Sequence, residues 1–252
     1  MPRALVTGAT AGLGAEFARQ LAAQGYSLVL VARTVDRLVA AQAALAGDGV
    51  EVEVLPVDLA TDDGCAVVAT RIGAGDIDLL VNNAGMGSYR AFGEAELSRE
   101  EAQLDLNVRS VMRLAHAAVR AMTARGSGRI LNVSSVAGFV PRGGNATYSA
   151  SKAWVTMFSE ALAVQLAGSG VTVTAVCPGF THTEFHERAE ADMSHVPARM
   201  WLDAADVVRE GLADTFAGKP ISVPSRRYKA LTTAAQKLPR PLLRRIMGAR
   251  GY

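Results

Sequence analysis

The chain has 252 residues, half of them hydrophobic, with 26 Lys and Arg against 24 Asp and Glu. That length can bury one sizeable core, so a single domain over residues 1–252 is expected, and no apolar run approaches the ~20 residues of a membrane span. Two distant cysteines, Cys65 and Cys177, have no metal-ligand neighbours, which argues against a disulfide scaffold or a cysteine metal site and for reduced thiols in a cytoplasmic protein.

In chain order, the first predicted strand covers Arg3 to Thr7 in RALVTGATAGLG and leaves no room for a signal peptide before it. It runs straight into Gly8, Gly12 and Gly14, ahead of the helical pattern AEFARQLAAQG. Glycines let a backbone approach a ligand closely, and the free N–H groups and dipole at a helix start favour an anion. A pyrophosphate fits such a turn. The spacing is GxxxGxG, which meets the dinucleotide fingerprint in mechanism and not in letter.

Further strands are predicted at YSLVLVA, VEVEVLPV, DIDLLVNN, GRILNVSS and GVTVTAVC, with a seventh at KPISVPS, and helical patterns separate them. Short apolar strands alternating with helices predict an α/β fold, a doubly wound parallel sheet with helices on both faces. Ligands of such sheets bind beyond the strand carboxyl ends. After the second strand the chain reads LVLVARTVDRL, with Ala32 and Arg33 where a carboxylate would mark NAD. A guanidinium suits a 2′-phosphate, so NADP is expected over NAD, with Arg33 as main contact and Arg37 as a second. Asp36 is the competing feature; it is expected to start the next helix with Thr34.

Tyr148 and Lys152 in NATYSASKAWV stand one helical turn apart if a helix begins near Ala146, and Ser135 lies thirteen residues before the tyrosine in RILNVSSVAGFV. A phenol titrates near pH ~10, and a fixed ammonium beside it favours phenolate, which brings the group towards acid–base work at neutral pH. Ser135 can add a hydrogen bond to the same substrate oxygen. The combination suits proton transfer to or from a carbonyl or alcohol.

These motifs resemble the short-chain dehydrogenases/reductases, in their compact branch, nearly end to end. Within TGATAGLG, the resemblance implies cofactor contacts at Gly8, Thr10, Ala11, Gly12, Leu13 and Gly14. Asp58, with Leu59 beside it in LPVDLA, resembles the adenine contact; Asn83, Ala84 and Gly85 lie in the NNAG strand end that begins at Asn82. Pro178, Gly179, Thr181 and Thr183 in CPGFTHTEF resemble the segment beside the nicotinamide. Asn107, Ser135, Tyr148 and Lys152 match the catalytic tetrad. By that resemblance Tyr148 donates the proton, Ser135 holds the carbonyl oxygen, Lys152 binds the nicotinamide ribose and lowers the tyrosine pKa, and Asn107 holds a backbone position and a water. Ser134 is expected to be bonded locally. Homo-oligomerisation is also implied.

The segment from Phe180 to Trp201 has the mixed polarity of a lid. Phe180, Phe185, Met193, Met200 and Trp201, with Met86, Phe139 and Val140 at neighbouring strand ends, are candidates for an apolar substrate pocket without an Arg or Lys clamp, which suggests a hydrophobic ketone or alcohol. His116, His182, His186 and His195 show no metal spacing, and the pair His182 and His186 is expected on a helix surface. Residues 1–214 carry a net −7, whereas the remainder carries +9 with no Asp or Glu. This basic extension, about 225–252, is expected as two short helices broken at Pro239 and Pro241 that fold back beside the substrate opening. Contact with an anionic membrane or an acidic partner such as a carrier protein is the alternative. No recognition motif supports nucleic acid. A catalytically silent nucleotide sensor or membrane-docked binding protein on the same fold is the rival class; such chains usually lack Ser, Tyr or Lys, and all three stand here.

Overall fold

The structure is a computed structural model that describes residues 1–47, 49–88, 90–141, 143–189, 191, 193–194 and 196–248. His195 and Arg250, with parts of the lid and of the basic extension, lie outside the described residues. The strands are β1 (Arg3–Thr7), β2 (Ser27–Ala32), β3 (Val52–Pro56), β4 (Leu79–Asn82), β5 (Gly128–Val133), β6 (Val171–Val176) and β7 (Ile221–Ser222). The helices are α1 (Gly12–Ala23), α2 (Val35–Leu45), α3 (Asp62–Gly73), α4 (Leu97–Leu104), α5 (Ser110–Arg125), α6 (Ala146–Gln165), α7 (Phe185–Arg188), α8 (Ala204–Phe216), α9 (Arg226–Lys237) and α10 (Arg240–Gly248).

All seven strands form one parallel sheet in the order β3-β2-β1-β4-β5-β6-β7. The order reverses between β1 and β4, which makes their carboxyl ends the switch point where a ligand crevice opens. Strands such as SLVLVA and GRILNV are almost wholly buried on both sides because helices cover both faces. One core packs Phe17, Leu21 and Leu212 of α1 and α8 on Val6, Leu30 and Leu131. The opposite core packs Val68, Leu114 and Met122 of α3 and α5 on Leu5, Val29 and Ile130. β7 is shorter than KPISVPS suggests: it pairs with β6 only at Ala175 and Val176, and the strand ends at Ser222.

The basic extension forms the two expected helices, α9 ending just before Pro239 and α10 carrying Pro241 in its first turn. No helix among the described residues is long and apolar enough to cross a membrane. Ser225, which precedes α9, is the sole non-glycine with positive φ among the described residues, at +84°, and its N–H donates to Glu210 at 3.0 Å. Side chains other than glycine pay roughly 1–3 kcal/mol in such regions. Ser225→Gly is therefore expected to raise stability by about 1 kcal/mol in urea unfolding, at unchanged slope; a loss of stability would show that the hydroxyl outweighs the strain.

Candidate active site

Parallel strands end with backbone groups that nothing in the sheet pairs, and polar side chains meet them here. Thr7 closes β1 with its hydroxyl on the Val81 carbonyl at 3.3 Å, and the same oxygen accepts the N–H groups of Asn83 and Ala84, each at 2.9 Å. Asn83 returns its amide to the carbonyls of Thr7 (2.9 Å) and Gly8 (3.4 Å). The glycine turn is thus clamped to the end of β4. Gly8 and Gly12 take φ of +65° and +52°, a region that favours glycine. At Gly14 a Cβ would stand 2.1 Å from the Gly8 carbonyl oxygen, so this glycine packs the turn onto α1 and does not itself reach the cavity.

A cavity of about 660 Å³ runs along these strand ends, within the range of small-molecule sites. Its walls include Gly8, Thr10, Ala11, Gly12 and Leu13 from the turn; Arg33 and Arg37 after β2; and Asp58 and Leu59 after β3. Asn83, Ala84, Gly85 and Met86 follow from β4, then Ser135, Tyr148 and Lys152, and Pro178, Gly179, Phe180, Thr181, Thr183 and Phe185 after β6. Asp36 sits in the first turn of α2, exposed and outside these walls, and Thr34 stands at the N-cap position without a side-chain cap bond. The Asp58 carboxylate accepts the Ala60 N–H at 3.0 Å.

The end of β5 and the start of α6 bring the acid–base groups together. Ser135 accepts the Ala137 N–H at 3.1 Å, which leaves its own hydroxyl proton available. Ser134 is bonded locally, within 2.7 Å of both the Lys152 carbonyl and the Thr156 hydroxyl. Lys152 is buried, donates to the Val133 carbonyl at 2.9 Å, and lies 5.7 Å from the centre of the Tyr148 ring. Burial lowers its pKa to about 8, against a smaller opposing effect of Cys177. Asn107 is fully buried in a π-helical stretch, Asp105–Arg109, outside the cavity walls. It grips both backbone groups of Met86, at 2.9 and 2.8 Å, and reaches Ser151 at 3.2 Å. A Cβ on Gly85 would approach the Asn107 amide oxygen to 3.1 Å and the Lys152 ammonium to 3.5 Å.

The lid departs from the sequence reading in several respects. Trp201 does not line the cavity; it centres an aromatic cluster with Phe180 (5.9 Å), His182 (4.7 Å) and His186 (5.2 Å). His182 and His186 therefore do not share a helix surface: the chain turns between them, and α7 begins only at Phe185. Phe139 and Met200 pack against the cluster around Tyr228, and neither they nor Val140 or Met193 reach the cavity wall. Phe185 does, with its ring 5.7 Å from that of Tyr148. The expected absence of a basic clamp is also corrected, because Arg99 and Arg188 line the cavity, the latter paired with Glu184. Glu184 is in turn 3.4 Å from Arg37, across the groove. No group of three or more metal-ligating side chains occurs among the described residues.

Tyr228 is the residue that motif reading misses. Its hydroxyl accepts the Phe180 N–H at 3.2 Å and donates to the Met200 carbonyl at 2.8 Å, joining both ends of the lid to α9. Its ring fills the space beside Gly179, where a Cβ would lie 2.1 Å away. No spacing in the sequence connects residue 228 to 180; only the packing of α9 does.

With this geometry, the chain belongs to the short-chain dehydrogenase family, whose model matches residues 2–194. It is an oxidoreductase on a nicotinamide-dinucleotide fold. Among similar proteins, a short-chain dehydrogenase from Sphingobium yanoikuyae in complex with NADPH shares 35% identity, with a TM-score of 0.86 and 94% of each chain covered. A bulky-bulky ketone specific alcohol dehydrogenase from Comamonas testosteroni shares 31%, with a TM-score of 0.81 over 94% of this chain and 92% of that one. A 3-oxoacyl-(acyl-carrier-protein) reductase of Synechocystis is 37% identical over 194 residues, 75% of this chain and 78% of that protein.

The Lys152 environment predicts a pH effect. The group is charged below about pH 8 and neutral above, so whatever its charge holds weakens as pH rises through about 8 rather than near ~10.4, where an ordinary lysine titrates. The dissociation constant of NADPH, followed by fluorescence, is expected to climb across pH 8 to 9.5 in the parent protein and to be weaker but flat in Lys152→Gln; parallel curves would assign the effect elsewhere.

Proposed function

We propose that this protein is an NADPH-dependent reductase of ketones, or in reverse a secondary-alcohol dehydrogenase, acting on a substrate with an apolar body. The observation that carries the reading is the meeting of Ser135, Tyr148 and the buried Lys152 in the wall of the same cavity as the glycine turn and Arg33. The cradle fits a dinucleotide: Gly8 and Gly12 carry no side chain at the cavity wall, and α1, whose N-cap makes no side-chain hydrogen bond, starts at that wall. When bound, the cofactor supplies or accepts a hydride.

The chain's own groups handle the oxygen and its proton. Tyr148 donates its hydroxyl proton to the carbonyl oxygen as that oxygen gains charge, a general-acid role. Ser135, already accepting from Ala137, directs its proton to the same oxygen and stabilises the developing alkoxide. Lys152, fixed on the Val133 carbonyl, keeps a positive charge near the phenol and would donate to the ribose of the cofactor. Asn107 acts by holding Met86, and so the loop that walls the site. Met86, Phe180 and Phe185 offer apolar surface to the substrate, while Arg99 adds a cation to the wall.

Preference for NADP over NAD is supported by Arg33 and Arg37 in the cavity wall and Asp36 outside it. The NADPH complex of the Sphingobium relative supports the same choice.

Three measurements test this reading. NADPH and NADH oxidation across short aliphatic, bulky aromatic, steroid and acyl-thioester ketones should give turnover with NADPH and bulky apolar members; silence with tight NADPH binding would leave a nucleotide-binding protein without this activity. Tyr148→Phe should abolish turnover and keep NADPH affinity nearly intact, and a near-normal rate would remove Tyr148 as proton donor. Arg33→Ala should weaken NADPH relative to NADH by roughly 1.5 to 3 kcal/mol, the range of charge-assisted hydrogen bonds; equal weakening would exclude a 2′-phosphate contact.

A further inference from the structure

The C-terminal end of the chain carries a concentration of cations that the proposed reaction does not use. The family match ends at residue 194, well before it. On α9 and α10, Arg226, Arg227, Lys237, Arg240, Arg244 and Arg245 are exposed. The segment after Asp214 makes its described ion pairs through Lys219 with Asp214 and Lys229 with Glu210, which leaves those six without an acidic partner. Apolar side chains are interleaved with them. Leu242 and Ile246, one turn apart on α10, are 45% and 36% exposed, whereas Leu243 is buried at 4%. Leu231 on α9 is 49% exposed.

We propose that α9 and α10 form a docking surface for an anionic phospholipid bilayer. A lipid surface has the complementary chemistry for both parts of this pattern: anionic headgroups take guanidinium and ammonium groups without demanding one fixed geometry, and the acyl boundary takes exposed leucine and isoleucine. An acidic protein would satisfy the charges while leaving Leu231, Leu242 and Ile246 without a stated partner. The break at Pro239 keeps both helices short and the packing of Tyr228 holds α9 on the body, so docking is interfacial, reversible and sensitive to salt. Because Tyr228 also binds Phe180 and Met200, the docked face is joined to both ends of the lid. Entry of an apolar ketone from the lipid side rests on the reductase reading above; docking itself does not.

The test is co-sedimentation of the full chain with phosphatidylcholine vesicles and with vesicles rich in phosphatidylglycerol. Binding is expected to the second only, and to be released near 1 M salt, where the Debye length is about 3 Å. The variant Arg240→Gln/Arg244→Gln/Arg245→Gln should lose about 100-fold in vesicle affinity, since each cation near an anionic leaflet contributes several-fold. Leu242→Ser/Ile246→Ser should weaken binding with less effect on its salt dependence. Equal binding to both vesicle types, or an unchanged triple variant, would overturn the proposal, as would retention on polyglutamate without vesicle binding, which would assign the surface to an acidic protein. NADPH oxidation with a water-soluble ketone in the same samples separates the two readings: intact turnover without docking overturns only the docking, and docking without turnover overturns only the reductase.

Discussion

A parallel sheet must end somewhere, and at its carboxyl edge each strand leaves carbonyl and N–H groups with no neighbour to pair them. Buried, such groups are expensive to leave unsatisfied. This protein meets them with side chains that then have only one place to be. Thr7 and Asn83 tie β1 to β4, and Lys152 takes the last carbonyl of β5. The constraint that completes the fold also sets the floor of the cavity. Lys152 is the clearest case, because its ammonium is held by the sheet and depressed in pKa by the same burial that brings it near Tyr148.

A second layer of order comes from outside the sheet. The loop after β4 would be free to move without Asn107, whose amide occupies both backbone groups of Met86 from a π-helical stretch between α4 and α5. Such local widening of a helix is commonly found at functional sites, where it re-aims a side chain. The lid depends on a different tie. Phe180 and Met200 lie twenty residues apart and are held by one phenol on α9, while Glu184 reaches Arg37 on the far side of the groove. The cavity wall, the 180–201 segment and α9 are therefore linked by direct hydrogen bonds and ion pairs.

Much of this was legible in residue order. The glycine turn, the NNAG segment and the Tyr148–Lys152 spacing are local patterns, with every member within one turn or one loop of the next, and their backbone requirements show directly as residue type. The strand sequences also announced a sheet covered on both faces, since little else places seven short strand-like runs between helical patterns. The apolar pocket candidates were less readable. Phe139, Phe180, Phe185 and Trp201 are alike in composition, yet two face the cavity and two pack elsewhere, because hydrophobicity specifies burial without specifying against what.

By itself the sequence determined the parallel α/β architecture, the glycine turn and the Tyr148–Lys152 spacing, because each depends on short-range geometry and on chemistry carried by single residue types. Only the tertiary structure decided that Arg33 and Arg37 face the cavity while Asp36 does not, that Arg99 enters its wall, and that Tyr228 holds the lid. Those outcomes depend on how distant helices and loops pack on the sheet edge, and contact between residues tens or hundreds of positions apart leaves no periodic trace in the chain.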